Sequence, residues 1–207
     1  MRLTGIGITL RRINHSDLEM VRKWRNQPRV RSQMFRDEII SQLKQVEWFQ
    51  SIDNANNYYF VILENEIPLG LIFAKNINQK TNEGEGGIFM GDLSKISSDI
   101  PARASLLLLY FCFNCLCIKR SQIRVKTENT QALSFNLSLG YKCIDQIDNA
   151  LILEATLEDF ESAPLVKKLS KYIALDSIRL TGQPSEKNLA CINDWLKLDR
   201  KSTRLNS

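Results

Sequence analysis

The feature that most constrains this chain is the nearly unbroken apolar run from Pro101 to Ile118. Its most apolar part, Ala104 to Ile118, falls short of the roughly 20 residues a membrane span requires, and Ser105 and Asn114 interrupt it. It is therefore expected to be a helix buried in a protein core. Its flanks are equally informative. Before it stand the glycine-bounded run Gly87-Ile88-Phe89-Met90-Gly91 and a polar loop, Asp92 to Asp99. After it come an alternating stretch, Ser121 to Lys126, then Asn129-Thr130-Gln131-Ala132, Phe135 and Leu139-Gly140-Tyr141. The order predicted is strand, loop, buried helix, strand, short helix and closing turn.

At 207 residues the chain suits one domain with a small appendage, and it can bury a core without metal or disulfide support. The formal charge of +5 includes Arg200, Lys201 and Arg204 of the last eight residues, leaving +2 without them. That is no nucleic-acid footprint. The tail Arg200 to Ser207 resembles translated sequencing-adapter read-through and is set aside as non-native. Cys112, Cys115 and Cys117 fall within the apolar run, where free cysteine acts as a small hydrophobe. Cys112 and Cys115 have CxxC spacing, but a zinc site needs two further ligands and His15 is the only histidine. No metal is expected. Five cysteines, an apolar setting and no signal-like start point to a reducing cytoplasm.

Ile6, Ile8, Leu10 and Arg12 alternate as in a strand. Ser16 or Asp17 is expected to cap a helix with Leu18, Val21 and Trp24 inward, ending before Pro28. A second helix is expected over Ile39 to Ser51, with Leu43, Val46 and Phe49 inward and Trp48 beside them. Two strands, Tyr58 to Leu63 and Pro68 to Phe73, should meet at an Asn65-Glu66 turn. Lys142 to Asp145 and Ala150 to Glu154 read as the last two strands, and residues 161–198 as mostly helical, with breaks at Pro164 and Gly182-Gln183-Pro184.

The stretch Glu85 to Tyr141 resembles the acyl-CoA-binding half of GNAT-type N-acetyltransferases, and the resemblance extends over roughly Ile8 to Asp159. It implies an α/β (α+β) fold: a mixed, mostly antiparallel sheet of about seven strands with helices on both faces. Residues 1–160 would be the acetyltransferase domain, and 161–199 a helical extension that packs on it or mediates association, a homodimer being one form. It also implies acetyl-CoA as cosubstrate. Phe89, Met90 and Gly91 would face the pantetheine and acetyl groups with backbone N–H groups. The loop and the N-terminal end of the apolar helix, Ser97, Ser98, Asp99 and Ala102, would face the pyrophosphate. Ser97 and Asp99 stand where the family has glycines, and a carboxylate competes with phosphate for a helix N-terminus. Lys95 or Arg103 is the expected offset, and Ser98-Asp99 also reads as a plain helix cap.

Asn129 matches an asparagine beside the pantetheine arm and also fits a helix cap. Where many members carry a tyrosine acid, this chain has Asn136, and that role is not carried over. Glu85 aligns with a glutamate that can take the proton of the acceptor amine, with Glu83 as competitor and a solvent-facing role open to both. Arg25, Asn26, Arg31 and Trp48 resemble the acceptor side of the branch that acetylates nucleotide-linked amino sugars, including pseudaminic-acid precursors. Arginines suit a diphosphate. The partner implied is a small-molecule amine, with neither nucleic acid nor membrane. Two other readings stay open: a protein N-terminal acetyltransferase of the ribosomal-protein type, and a GNAT module that binds a partner without turnover.

Overall fold

The computed structural model describes residues 1–170 and 178–182. Its centre is one nine-stranded sheet. In chain order the strands are β1 (Arg2–Gly5), β2 (Ile8–Arg12), β3 (Tyr58–Glu64), β4 (Ile67–Asn78), β5 (Glu83–Met90), β6 (Arg120–Lys126), β7 (Lys142–Ile147), β8 (Ala150–Thr156) and β9 (Arg179–Thr181). Across the sheet they run β7-β8-β6-β5-β4-β3-β2-β1-β9. Every neighbouring pair is antiparallel except β5 and β6. That exception follows from the connection. The apolar run crosses back between β5 and β6, and a crossover of this kind is what a parallel pair requires.

The mixed α/β architecture is the one expected, with two strands beyond the seven. One is β1, which makes the start of the chain a hairpin with β2. The other is β9, which pairs with β1 inside the stretch read as mostly helical. Helices α6 (Leu157–Ser162) and α7 (Pro164–Ser170) carry the chain away from β8. The rest of the extension and the tail lie outside the described residues.

Both faces of the sheet are covered. In β3, Tyr58, Phe60 and Ile62 point to one core, and Tyr59, Val61 and Leu63 to the other, as the two-residue period of a strand dictates. The first core is capped by α4 (Ile100–Tyr110), which continues as a π-helical turn over Phe111–Cys115. Burial of a side chain such as Phe60 contributes about 1.5–3 kcal/mol. The second core is capped by α1 (Leu18–Asn26) and α3 (Gln42–Ile52), with the short α2 (Pro28–Arg31) between them. The last short helix is α5 (Thr130–Ser138).

Several local expectations change. The cap before α1 is Asn14, whose side chain accepts from the Ser16 N–H in a capping box closed by Asp17. Asp17 itself is drawn into a pair with Arg11 at 2.6 Å. In α3, capped by Ser41, Leu43 is 69% exposed and does not face inward. Gln45 and Ile52 are buried in its place, with Val46, Trp48 and Phe49 packed on the same core. The Asn65-Glu66 turn forms as expected, both residues at positive φ, which suits the twist of a tight hairpin. Gly140 has φ +96°, and a Cβ there would meet the Asp159 carbonyl oxygen at 2.4 Å, so only glycine fits the closing turn.

Candidate active site

The parallel contact between β5 and β6 lasts three rungs: Glu83 with Arg120, Gly84 with Ser121, and Glu85 with Gln122. Beyond Glu85 the two strands separate. Each is held by its outer neighbour, β5 by β4 as far as Gly70↔Met90 and β6 by β8 as far as Lys126↔Ala150. The gap between them is therefore built by the rest of the sheet. Gly91 N–H donates to the Leu69 carbonyl of β4 at 2.8 Å. Strand alternation then turns the N–H groups of Met90, Ile88 and Gly86 toward the gap. A cavity opens there, lined by Gly86 and Ile88 of β5, Ser121 and Ile123 of β6, Leu108 of α4 and Asn136 of α5. Donors spaced along an apolar slot suit the amide-bearing arm of a pantetheine group.

The glycines that bound this part of β5 serve the opposite face. A Cβ on Gly87 would meet the Phe73 ring at 2.4 Å, and one on Gly91 would meet the Trp24 ring at 2.1 Å. Their missing side chains make room for aromatic rings on the α1 and α3 side. Phe89, between them, packs into that same core, and Met90 into the other.

At the wide end of the gap the loop leads into α4. Asp99 is the first residue before the helix, yet its carboxylate makes no cap hydrogen bond. It pairs with Arg103 at 3.0 Å, and Arg103 also holds Glu64 at 2.7 Å. Ser98 supplies the cap, its hydroxyl accepting from Ile100 N–H at 3.3 Å. Ser97, Ser98 and Asp99 are exposed, and Ala102 is half-buried in the first turn. Ile100 N–H is thus spent on Ser98, Arg103 N–H on the Asp99 carbonyl at 2.9 Å, and Pro101 has none, which leaves Ala102 N–H in the first turn, with the negative charge of Asp99 tied back by Arg103. Asn129 caps α5, its Oδ1 accepting from Ala132 N–H at 3.0 Å. Asn136 lines the cavity, and its Nδ2 donates to the Ala132 carbonyl at 2.7 Å.

On the α1 and α3 face, Glu85 stands at the last rung before the strands part. Its carboxylate lies 2.9 Å from the Lys75 ammonium of β4. Glu83 is bound instead to Arg120 and sits two residues back in the closed part of the pair. Beside Glu85 lies Tyr59. Burial first, then the charge of Glu85, pushes its hydroxyl up to about 12, with Arg25 and a hydrogen bond from Trp48 opposing. The Trp48 ring meets Tyr59 edge-on with centroids 5.2 Å apart. The Arg25 guanidinium lies 5.1 Å from the Trp48 centroid and donates to Gln45 Oε1 at 3.4 Å. Burial pulls Arg25 below its ordinary value, and no carboxylate pairs with it among the described residues. Gln45 is 1% exposed, and its Nε2 has no partner among the described residues.

The other two expected acceptor residues are committed elsewhere. Asn26 clamps Ile40 through both ends of its amide, at 2.9 and 2.8 Å, which fixes the segment before α3. Arg31 pairs with Asp37 at 2.5 Å. The structure therefore brings Glu85, Arg25 and Trp48 together around Tyr59, and leaves Asn26 bound to Ile40 and Arg31 to Asp37. Tyr59, Lys75 and Gln45 join this group, although sequence reasoning did not single them out. The strand registers, which pair Tyr59 with Phe73 and Lys75 with Glu85, would have flagged the first two. Gln45 shows only as a polar residue on the inward side of a helix.

Cys112 and Cys115 are buried, and burial raises both thiols, Cys115 to about 12. Among the described residues no group of three or more His, Cys, Asp or Glu side chains is placed to hold a metal ion. No helix there is long and apolar enough to cross a membrane.

Comparison with known structures returns the same fold. Spermidine N-acetyltransferase from Vibrio cholerae, in complex with CoA and spermine, superposes with a TM-score of 0.68 at 17% identity, over 74% of this chain and 98% of its own. The apo form of FdhC, a nucleotide-linked sugar GNAT, gives 0.68 at 18% identity, over 83% and 96%. AAC(6')-Ib with ribostamycin and coenzyme A gives 0.69 at 14% identity, over 77% and 98%. No curated protein matches the chain. Residues 8–142 match the family described as acetyltransferase (GNAT) domain. A parted β5–β6 pair, the helix that follows it and this match over more than half the sequence agree: the chain belongs to the GNAT acetyltransferase family.

Proposed function

We propose that the chain transfers an acetyl group from acetyl-CoA to the amino group of a small molecule that also carries phosphate, a nucleotide-linked amino sugar fitting best. The observation that carries the acceptor class is Arg25. Its guanidinium is largely buried, stacked on Trp48 and paired with no carboxylate among the described residues, on the face of the sheet where Glu85 stands. A desolvated arginine without a counter-charge suits a diphosphate, which it can engage with two parallel N–H donors. The likeness to FdhC, a nucleotide-linked sugar GNAT, is consistent with this. A polyamine acceptor, as bound by the V. cholerae neighbour, would have to approach the Arg25 charge.

The placement of the residues supports the following roles in this reading. Gly86, Ile88 and Met90 offer backbone N–H groups along the slot, with Phe89 and Gly91 holding the strand to its neighbours. Ser97, Ser98 and the Ala102 N–H face the pyrophosphate, and Asn129 keeps its Nδ2 for the pantetheine arm. Glu85, oriented by Lys75, accepts the proton that the acceptor ammonium must lose before attack, since an ammonium nitrogen has no lone pair. Trp48 and Tyr59 give the acceptor a flat, partly polar wall.

The test is turnover with acetyl-CoA against a matched set: a nucleotide-linked amino sugar, the free amino sugar, spermidine, and a peptide with a free N-terminus. The expected result is the highest kcat/KM for the nucleotide-linked sugar. Preference for the peptide would return the reading to an N-terminal acetyltransferase. No turnover with any of the four, in a chain that binds a partner protein, would leave the non-catalytic module.

A further inference from the structure

We propose that Ser121, backed by Tyr141, is the hydrogen-bond donor to the departing CoA sulfur in this site. The inference rests on the acetyl-CoA reading above. Ser121 lies on the rung of β6 paired with Gly84, one rung before the strands part. The Cβ position of Gly86, the first residue of β5 beyond the last rung, is 3.8 Å from the Ser121 hydroxyl. The Tyr141 hydroxyl lies 2.7 Å from that of Ser121. Both side chains are nearly inaccessible to solvent, at 3% and 4% exposure, yet both line the cavity of the gap.

Two hydroxyls that share one hydrogen bond carry two protons. One proton is used between them, and the other has no acceptor among the described contacts. With Tyr141 donating to Ser121, the Ser121 proton is the one turned to the slot. Position 136, the family's place for a tyrosine acid, holds an asparagine whose Nδ2 is spent on the Ala132 carbonyl. Three hydroxyls line the cavity, from Ser105 of α4, Ser121 of β6 and Tyr141 before β7, and that of Ser121 is the one beside Gly86, where the strands part.

In the reaction the amine nitrogen forms its bond to the acetyl carbon and the carbon–sulfur bond breaks, the sulfur leaving with the electron pair. A thiolate among Leu108, Cys112 and Ile123 would be poorly solvated, and a hydroxyl donor offsets that cost. Burial pushes the Tyr141 hydroxyl well above its ordinary value. The pair accordingly stays protonated and gives a hydrogen bond. Glu85 takes the ammonium proton before attack and passes it to water; the second N–H proton, lost as the new amide forms, also goes to water, and water supplies the proton of the free thiol.

The test uses the full chain with CoA carrying a carbon-13 label beside the sulfur, titrated with pH and followed by NMR. Ser121→Ala and Tyr141→Phe should each raise the pKa of the bound thiol by about one pH unit, the size expected for loss of a hydrogen bond to a charged group. Calorimetric affinity for CoA below that pKa should stay within a few-fold. If either variant folds and lowers the melting temperature while the thiol titrates as in the parent, the pair is only a packing contact and the proposal fails. If CoA binds the parent and both variants and the thiol pKa is the same in all three, the proposal fails while the acetyl-CoA reading stands. Failure of the parent to bind CoA at all overturns both.

Discussion

The Glu85 carboxylate lies 2.9 Å from the Lys75 ammonium, on the last rung that joins β5 to β6. In the proposed reaction the pair would hold the carboxylate where the acceptor meets the thioester. Glu85→Gln keeps the size and removes the base, so kcat should fall by about 10²–10⁴-fold, with both KM values little changed. The deficit should shrink as pH rises and the amine deprotonates unaided. Steady-state rates across pH read both effects. Normal turnover of Glu85→Gln beside a crippled Glu83→Gln would move the base to the other carboxylate.

Arg25 and Arg31 should separate. Arg25 has no ion-pair partner among the described residues, whereas Arg31 is held by Asp37 at 2.5 Å. Arg25→Ala should raise KM for a nucleotide-linked amino sugar by roughly 10–100-fold, the loss of a charge-assisted hydrogen bond of about 1.5–3 kcal/mol. It should leave the affinity for acetyl-CoA alone. Arg31→Ala should change KM by only a few-fold. Equal losses with the free amino sugar would contradict a phosphate contact at Arg25.

Much of this was legible in the chain itself, because hydrophobic period and special backbone positions are local signals. The buried crossover, the Asn65-Glu66 turn and the Gly140 closure are encoded that way. What was not legible depends on tertiary partners. The glycines at 87 and 91 mark close approach, but only the packed structure shows the approaching groups to be Phe73 and Trp24. Leu43 reads as core on spacing alone, and the rotation of α3 that buries Gln45 depends on how α1 and β3 meet it. The use of Asn26 as a clamp on Ile40 likewise has no signature within its own neighbourhood. Chain pattern specified the cleft better than the wall facing it.

Asp99 supplies a third prediction. Its carboxylate sits at the N-terminal end of α4, balanced by Arg103 at 3.0 Å. Asp99→Asn removes a negative charge from a helix pole, an effect of about 0.3–1 kcal/mol at an exposed position. CoA should therefore bind roughly two- to five-fold tighter, while a desphospho fragment such as pantetheine should show no gain. Weaker CoA binding in the variant would mean that Asp99 holds the loop in its binding form.

Asp159 gives a pH signature of the fold. Lys142 first, then the Thr156 hydroxyl and N–H, hold its carboxyl below the ordinary value. A carboxyl lowered in the folded state stabilises above its unfolded value of about 3.9. That contribution disappears as pH falls through the lowered folded value. Asp159→Asn should therefore melt below the parent at neutral pH, and the gap should close progressively under acid. A gap that persists at pH 2 would assign the effect to something other than charge.

The central claim is that the gap between β5 and β6 holds acetyl-CoA. Isothermal titration calorimetry of the full chain with acetyl-CoA tests it most directly. Saturable one-to-one binding is predicted, with a matching rise in melting temperature, since a ligand at 100 times its Kd adds about 2.7 kcal/mol. No heat and no thermal shift at millimolar acetyl-CoA would contradict it.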